Sequence, residues 1–221
     1  NTDLMVQING IVNEYIHVEK PDQEAVPSRQ FDISKIDFDL LSREFAHTRQ
    51  KNLLLRDLDE LVNQQLAKML FANPQRIDYY DRYQEIIDAY NAEQNRATIE
   101  KTFMDLMELA SSLDTEQQRY VREGFSSDEE LSVYDLLFSE NLTKQEIEAI
   151  KKVSVDLLTK IKQQIAKLDH WTDKQETKAI VDNLIRKTLW QELPNSYDVS
   201  DIQTYQKKIY EYVYMRYPEV A

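Results

Sequence analysis

Apolar residues recur at helical spacing along nearly the whole chain, and nowhere do they alternate at the two-residue period of a strand. The pattern is most regular from Thr143 to Trp190. Ile147, Ile150, Ser154, Leu157, Leu158, Ile161, Ile165 and Leu168 form one stripe there, and Ile180, Val181, Leu184, Ile185 and Leu189 form a second. Together they predict a long central helical hairpin joined through Leu168, Asp169, His170 and Trp171. Thr143 with Glu146, and Thr172 with Gln175, have the spacing of a capping box, which predicts where the two arms begin.

Upstream, Leu4, Ile8, Ile11, Val12, Tyr15 and Ile16 predict a helix over Asn1 to Val18, weakened by Gly10. Pro21 and Pro27 mark a loop from Lys20 to Gln30. Ser34 is expected to open a second helix that carries Phe38, Leu41 and Phe45. A long amphipathic helix is predicted from Lys51 to Phe71, with Leu54, Leu58, Leu61, Leu66, Met69 and Leu70 as its stripe. Asn73-Pro74 ends it, because the residue before proline is disfavoured in helical conformation. A further long helix starts at Asp78, with Tyr83, Ile86, Ile87 and Tyr90 and later Phe103, Leu106, Met107 and Ala110. Its apolar phase slips between Asn91 and Asn95, where a bend or a change of partner is expected.

Three more pairs have capping-box spacing: Asp114 with Gln117, Ser127 with Glu130, and Ser200 with Gln203. Gly124 is a candidate glycine helix end. Pro194 and Asn195 break the chain before a last helix with Ile202, Tyr205, Ile209, Tyr212 and Val213. The fold class that follows is all-α, an irregular bundle of about seven or eight helices around the long hairpin.

Composition agrees. The 221 residues include only 2 Gly and 5 Pro, too few for the turns of an all-β protein or the phosphate loops of a dinucleotide fold. There is no cysteine, which excludes disulfides, thiol nucleophiles and Cys-ligated zinc and fits a reducing compartment. No run approaches the roughly 20 apolar residues of a membrane span, and the first residues lack the pattern of a signal peptide. A cytoplasmic location is the expectation, without a membrane partner or a small-molecule substrate. The chain opens on Asn1 rather than Met, which suggests a portion of a longer protein.

Charge singles out the hairpin. The chain carries a formal net charge of -13, so its surface as a whole repels phosphate backbones. Thr143 to Trp190 nevertheless holds 10 Lys and Arg against 7 Asp and Glu, and the remainder 17 against 33. Lysines spaced at i, i+4 from acids are the pattern of a solvated helix face; the alternative is a functional contact.

No catalytic or metal site is legible. His17, His47 and His170 are far apart and lack zinc-helix spacing. Asp128, Glu129 and Glu130 suit the positive end of a helix dipole. Glu146 and Glu148 lie on different helix faces, so they form no local dyad. With Gly10 and Gly124 alone, neither a P-loop nor a G-x-S-x-G elbow can exist. Aromatic residues offer more. Tyr205, Tyr210, Tyr212, Tyr214 and Tyr217 fall in one stretch and cover more than one helical face. Core packing accounts for them if both rows turn inward; the alternative is that one row packs inward and the other is a candidate partner-docking surface, since exposed tyrosine suits interfaces. Trp171 and Trp190 are expected to plug the core.

Several stretches resemble one known family. FDISKIDFDLLSREF, then NLLLRDLDELVNQQLAKMLFANPQRIDYYDRYQEIIDAYN, are similar to the helical region that follows the motor domains in the R subunit of type I restriction enzymes. Most telling are Asn73, Pro74 and Arg76, and the pattern Tyr83, Ile86, Ile87, Tyr90, Asn91. EELSVYDLLF resembles the family's short helix with Tyr134-Asp135. Asp169 to Trp171 followed by QETKAIVDNLIRKTLWQELP resembles its closing segment, except that His170 stands between an Asp and a Trp that the family usually writes as neighbours. The likeness covers residues 31–195, and the order of these short motifs is its specific part.

That resemblance implies a subunit with a nuclease domain, two helicase-like ATPase domains and this helical end. With methylase and specificity subunits, such an enzyme translocates DNA using ATP and cuts at a distance. Residues 1–72 would be the helical segment after the motor domains, and 73–221 the C-terminal helical domain. ATP and Mg are implied for the full-length subunit and no cofactor for this portion, whose implied role is to dock the motor on the methylase core. An auxiliary contact with duplex DNA would fall on the hairpin: Lys151, Lys152, Lys160, Lys162, Lys167, Lys174, Lys178, Arg186 and Lys187. The competing reading is a self-standing helical protein–protein adaptor with no nucleic-acid role.

Overall fold

A computed structural model describes residues 36–93 and 95–218, and the protein is all-helical across them, with nine α-helices, one 3-10 turn and no strand among the described residues. The expected helix over Asn1 to Val18, the loop after it, and Ser34 lie outside the described residues.

The chain divides into two compact units, Asn1–Arg119 and Tyr120–Ala221. The boundary therefore falls far beyond the expected division after residue 72. Its cause is long-range packing: the helix before that point lies against a helix well after it, so cutting there would split one core.

In the first unit, α1 (Phe38–His47) is capped by the Asp37 carboxylate, which accepts from the Leu40 amide at 2.9 Å. α2 (Lys51–Ala72) buries Leu55, Leu58, Leu61, Val62, Leu66 and Leu70. The predicted stop is present. Asn73 is wholly buried and caps a 3-10 turn, Pro74–Arg76, by accepting from the Gln75 amide at 3.1 Å. The predicted long helix is two: α3 (Ile77–Ala92) and α4 (Arg96–Gln117), broken where the apolar phase slips. Asn95 restarts the chain by accepting from the Thr98 amide at 2.9 Å. Asp114 caps nothing, because α4 continues through it to bury Glu116. α4 packs against both α2 and α3, and Phe45 of α1 stacks on Phe103 of α4 with ring centroids 3.6 Å apart.

A short helix, α5 (Arg119–Arg122), ends at Gly124. Gly124 has φ +83, and the bonds Gly124 N–H to Val121 O and Phe125 N–H to Tyr120 O make the glycine-terminated end that the sequence suggests.

The second unit holds α6 (Asp128–Leu137), α7 (Lys144–Ile165), α8 (Gln175–Glu192) and α9 (Val199–Arg216). Ser127 caps α6, and Thr143 with Glu146 forms the predicted box on α7. Two other predicted caps shift. The Thr172 hydroxyl donates to Pro218 O instead, so α8 begins after Lys174 without a side-chain cap. α9 is boxed by Asp198 with Asp201 rather than by Ser200 with Gln203. The hairpin of α7 and α8 is thus present, with a connector of residues 166–174 that is longer than the predicted four. His170 sits in it at φ +44, a left-handed position that histidine tolerates better than most side chains. α6 and α8 pack on α7, and α9 packs on α6 and α8.

Candidate functional site

The cations of the hairpin come from two helices whose inner faces are apolar, so the lysines emerge at the edges of those faces. Three of the nine are engaged by carboxylates. Lys151 on α7 donates to Glu123 Oε2 at 3.1 Å and to Glu123 O at 3.0 Å. It also lies over the rings of Phe125 and Tyr134. It therefore closes the glycine-terminated end of α5. Lys160 pairs with Glu192, and Lys162 with Glu129. Lys178 is half-buried with its ammonium 5.8 Å from the Tyr214 ring centre. Lys152, Lys167, Lys174, Arg186 and Lys187 are exposed, and none forms an ion pair among the described residues.

Glu129 draws cations from two other helices of this unit. It stands in the first turn of α6, receives Lys162 from α7, and lies 3.6 Å from Arg216 at the end of α9. Burial pushes its carboxyl up, but the hydrogen bond and charge of Lys162, the Tyr217 phenol and Arg216 together hold it below its ordinary 4.5. A carboxyl lowered in the fold stabilises it above that ordinary value, and the contribution is lost as pH falls through the folded value. Replacing Glu129 with Gln is therefore expected to flatten the loss of stability below about pH 5. Urea midpoints measured at several pH values check this; parallel curves for variant and wild type would contradict it.

The five tyrosines are mostly internal. Tyr212 is wholly buried, and its phenol is pushed up to about 12, first by burial. Tyr205 is half-buried edge-on to Tyr197, whose hydroxyl donates to Leu137 O at 2.7 Å. Tyr210 and Tyr214 stand edge-on to Trp171, with ring centroids 6.2 and 5.7 Å away. Burial raises the Tyr217 phenol, which faces Glu129. Tyr214 alone of the five is exposed.

The tryptophans divide. Trp171 is buried as expected, whereas Trp190 is 50% exposed and plugs no core. The apolar stripe of α8 ends at Leu189, so the next residue turns outward by about 100°. Its exposure follows from the same periodicity that located the stripe.

In the first unit, a groove of about 640 Å³ runs beside Arg49, Lys51, Leu53 and Arg96. Glu100 neutralises two of its cations, at 2.6 Å from Lys51 and 3.2 Å from Arg96. Farther along α2, Asn63 donates to the Tyr83 hydroxyl, which donates to Asp59 at 2.8 Å. Burial raises the Asp59 carboxyl, partly offset by that bond. His47 is exposed with its ring on Arg43 O, and His170 is exposed beside Asp169. His17 lies outside the described residues. No group of His, Asp or Glu among the described residues could hold a metal ion. No helix among them is long and apolar enough to cross a membrane.

Fold and surface define a class: an all-helical module of two units, each tied together by a helical core and a few ion pairs between helices. Within that class, the chain belongs to the family described as type I restriction enzyme HindI endonuclease subunit-like, C-terminal, whose model matches residues 3–217. The match reaches beyond both ends of the stretch that the sequence motifs cover. No curated protein matches the chain, and no solved structure does.

Proposed function

We propose that this chain is the assembly module of a type I restriction enzyme endonuclease subunit, docking the ATP-dependent translocating nuclease on its methylase–specificity core. The observation that carries the reading is the family match over residues 3–217, which is to the C-terminal region of such subunits. ATP and magnesium belong, on this reading, to other parts of the full-length subunit. Duplex DNA is a weaker partner for the hairpin than the sequence suggests, because Glu123, Glu192 and Glu129 neutralise Lys151, Lys160 and Lys162.

Mass photometry of the chain mixed with a purified methylase–specificity complex tests the reading, with and without duplex DNA. A new species heavier by 26.2 kDa, or by twice that, is the expected result. No heavier species in either condition overturns it.

A further inference from the structure

The outer face of α8 carries two of the large apolar side chains that the second unit exposes. Ile180, Asn183, Lys187 and Trp190 recur at spacings of 3, 4 and 3, so they form one stripe on the side opposite the buried Val181, Ile185 and Leu189. Ile180 is 43% exposed and Trp190 50% exposed. They stand about 15 Å apart along the axis at 1.5 Å per residue. Between them lie two cations. Arg186 donates only to the Asn183 side-chain amide, at 2.8 Å, and neither Arg186 nor Lys187 meets a carboxylate among the described residues. The nearest acid on the helix, Asp182, is half-buried and accepts from Gln206 of α9 at 2.8 Å.

On a chain of net charge -13, this face thus sets two cations without a carboxylate partner between two exposed apolar anchors. We propose that this face of α8 is the docking surface, and that its occupant is an acidic protein surface offering an apolar pocket to Trp190. The proposal rests on the assembly reading above and names the side chains that perform it. Charge complementarity selects the sign of the partner. Exposed Trp and Arg side by side are the residue types that dominate interface energetics. Duplex phosphates would pair with Arg186 and Lys187 but offer no apolar surface for Ile180 and Trp190.

The test is biolayer interferometry of the chain on an immobilised methylase–specificity complex. Trp190→Ala is expected to raise Kd at least tenfold. Arg186→Glu combined with Lys187→Glu is expected to raise it at least tenfold at low salt and by less as salt is added, since screening weakens charge pairing. Lys152→Glu, on α7, should leave Kd within twofold. Unchanged helix content and melting keep the Trp190 variant interpretable, and the charge-reversal variant is independent of any packing loss.

If the wild-type chain binds and both α8 variants bind equally well, this surface is not the interface and the assembly reading stands. If the wild-type chain does not bind, the assembly reading itself fails and takes this proposal with it. If the charge reversal lowers affinity for a duplex oligonucleotide while binding to the complex is unchanged, the face serves nucleic acid and the proposal is overturned.

Discussion

Replacing Trp171 with alanine is expected to destabilise the second unit by about 3–5 kcal/mol, the cost of removing a large buried aromatic and leaving a cavity. Trp171 is among the largest fully buried side chains, and it sits in the connector between α7 and α8. Tyr210 and Tyr214 of α9 meet its ring edge-on, and its indole N–H donates to Tyr217 O at 2.6 Å. The Thr177 hydroxyl, near the start of α8, donates to the Trp171 carbonyl at 2.8 Å. One residue thus joins the connector, the first turn of α8 and the end of α9. Against a total of about 5–15 kcal/mol for a typical domain, losing it approaches the whole margin. Hydrogen exchange checks the expectation by region: amides of α8 and α9 should lose protection in the variant while those of α2 and α4 keep theirs. Trp171→Phe, which keeps a ring but loses the indole bond, should cost much less. Unchanged protection in Trp171→Ala would contradict the account.

The same geometry changes how the tyrosines are to be tested. A surface tyrosine could be removed at the expense of binding alone. Tyr210 is half-buried against Trp171, so Tyr210→Ala would lower stability and confuse any binding measurement. Trp190, outside every core stripe, gives the clean substitution.

What the sequence made legible was local. The stripes of α2, α7 and α8, the stop at Asn73-Pro74, the break before Asn95, the caps at Ser127 and Thr143 and the glycine end at Gly124 all depend on residues within a few positions of one another. Where two local solutions competed, spacing alone could not choose. Ser200 with Gln203 and Asp198 with Asp201 both offer a box, and the chain uses the earlier one. The site was hidden for a different reason. Lys151, Lys160 and Lys162 meet carboxylates 28, 32 and 33 residues away, and no periodicity reports such pairs. The unit boundary at Arg119 is of the same kind, since it is fixed by α2 packing on α4 across the intervening α3. Trp190 was the opposite case. The stripe ending at Leu189 already turns it outward, against the general preference of tryptophan for burial.

Removing Arg76 is the second change with a large expected effect, about 3–5 kcal/mol on the first unit, because it breaks a buried ion pair. The Asn73-Pro74 step fixes a buried 3-10 turn, and that turn aims Arg76 into the core. Its Nε lies 3.0 Å from Glu116 Oε1 near the end of α4, with side-chain exposures of 3% and 10%. Arg119, more exposed, reaches the same oxygen at 2.7 Å. In Arg76→Met that second arginine still screens the carboxylate from the solvent side, so the loss should fall toward the lower end of the range. Desolvation makes the pair costly to break and gives it little net value over an apolar replacement. Arg76→Met combined with Glu116→Leu should therefore recover at least half of the single loss. Urea unfolding across the four variants of the double-mutant cycle measures that coupling. Additive losses would mean that Arg76 is held by its other contacts, and that the turn, rather than the ion pair, locks α2 to α4.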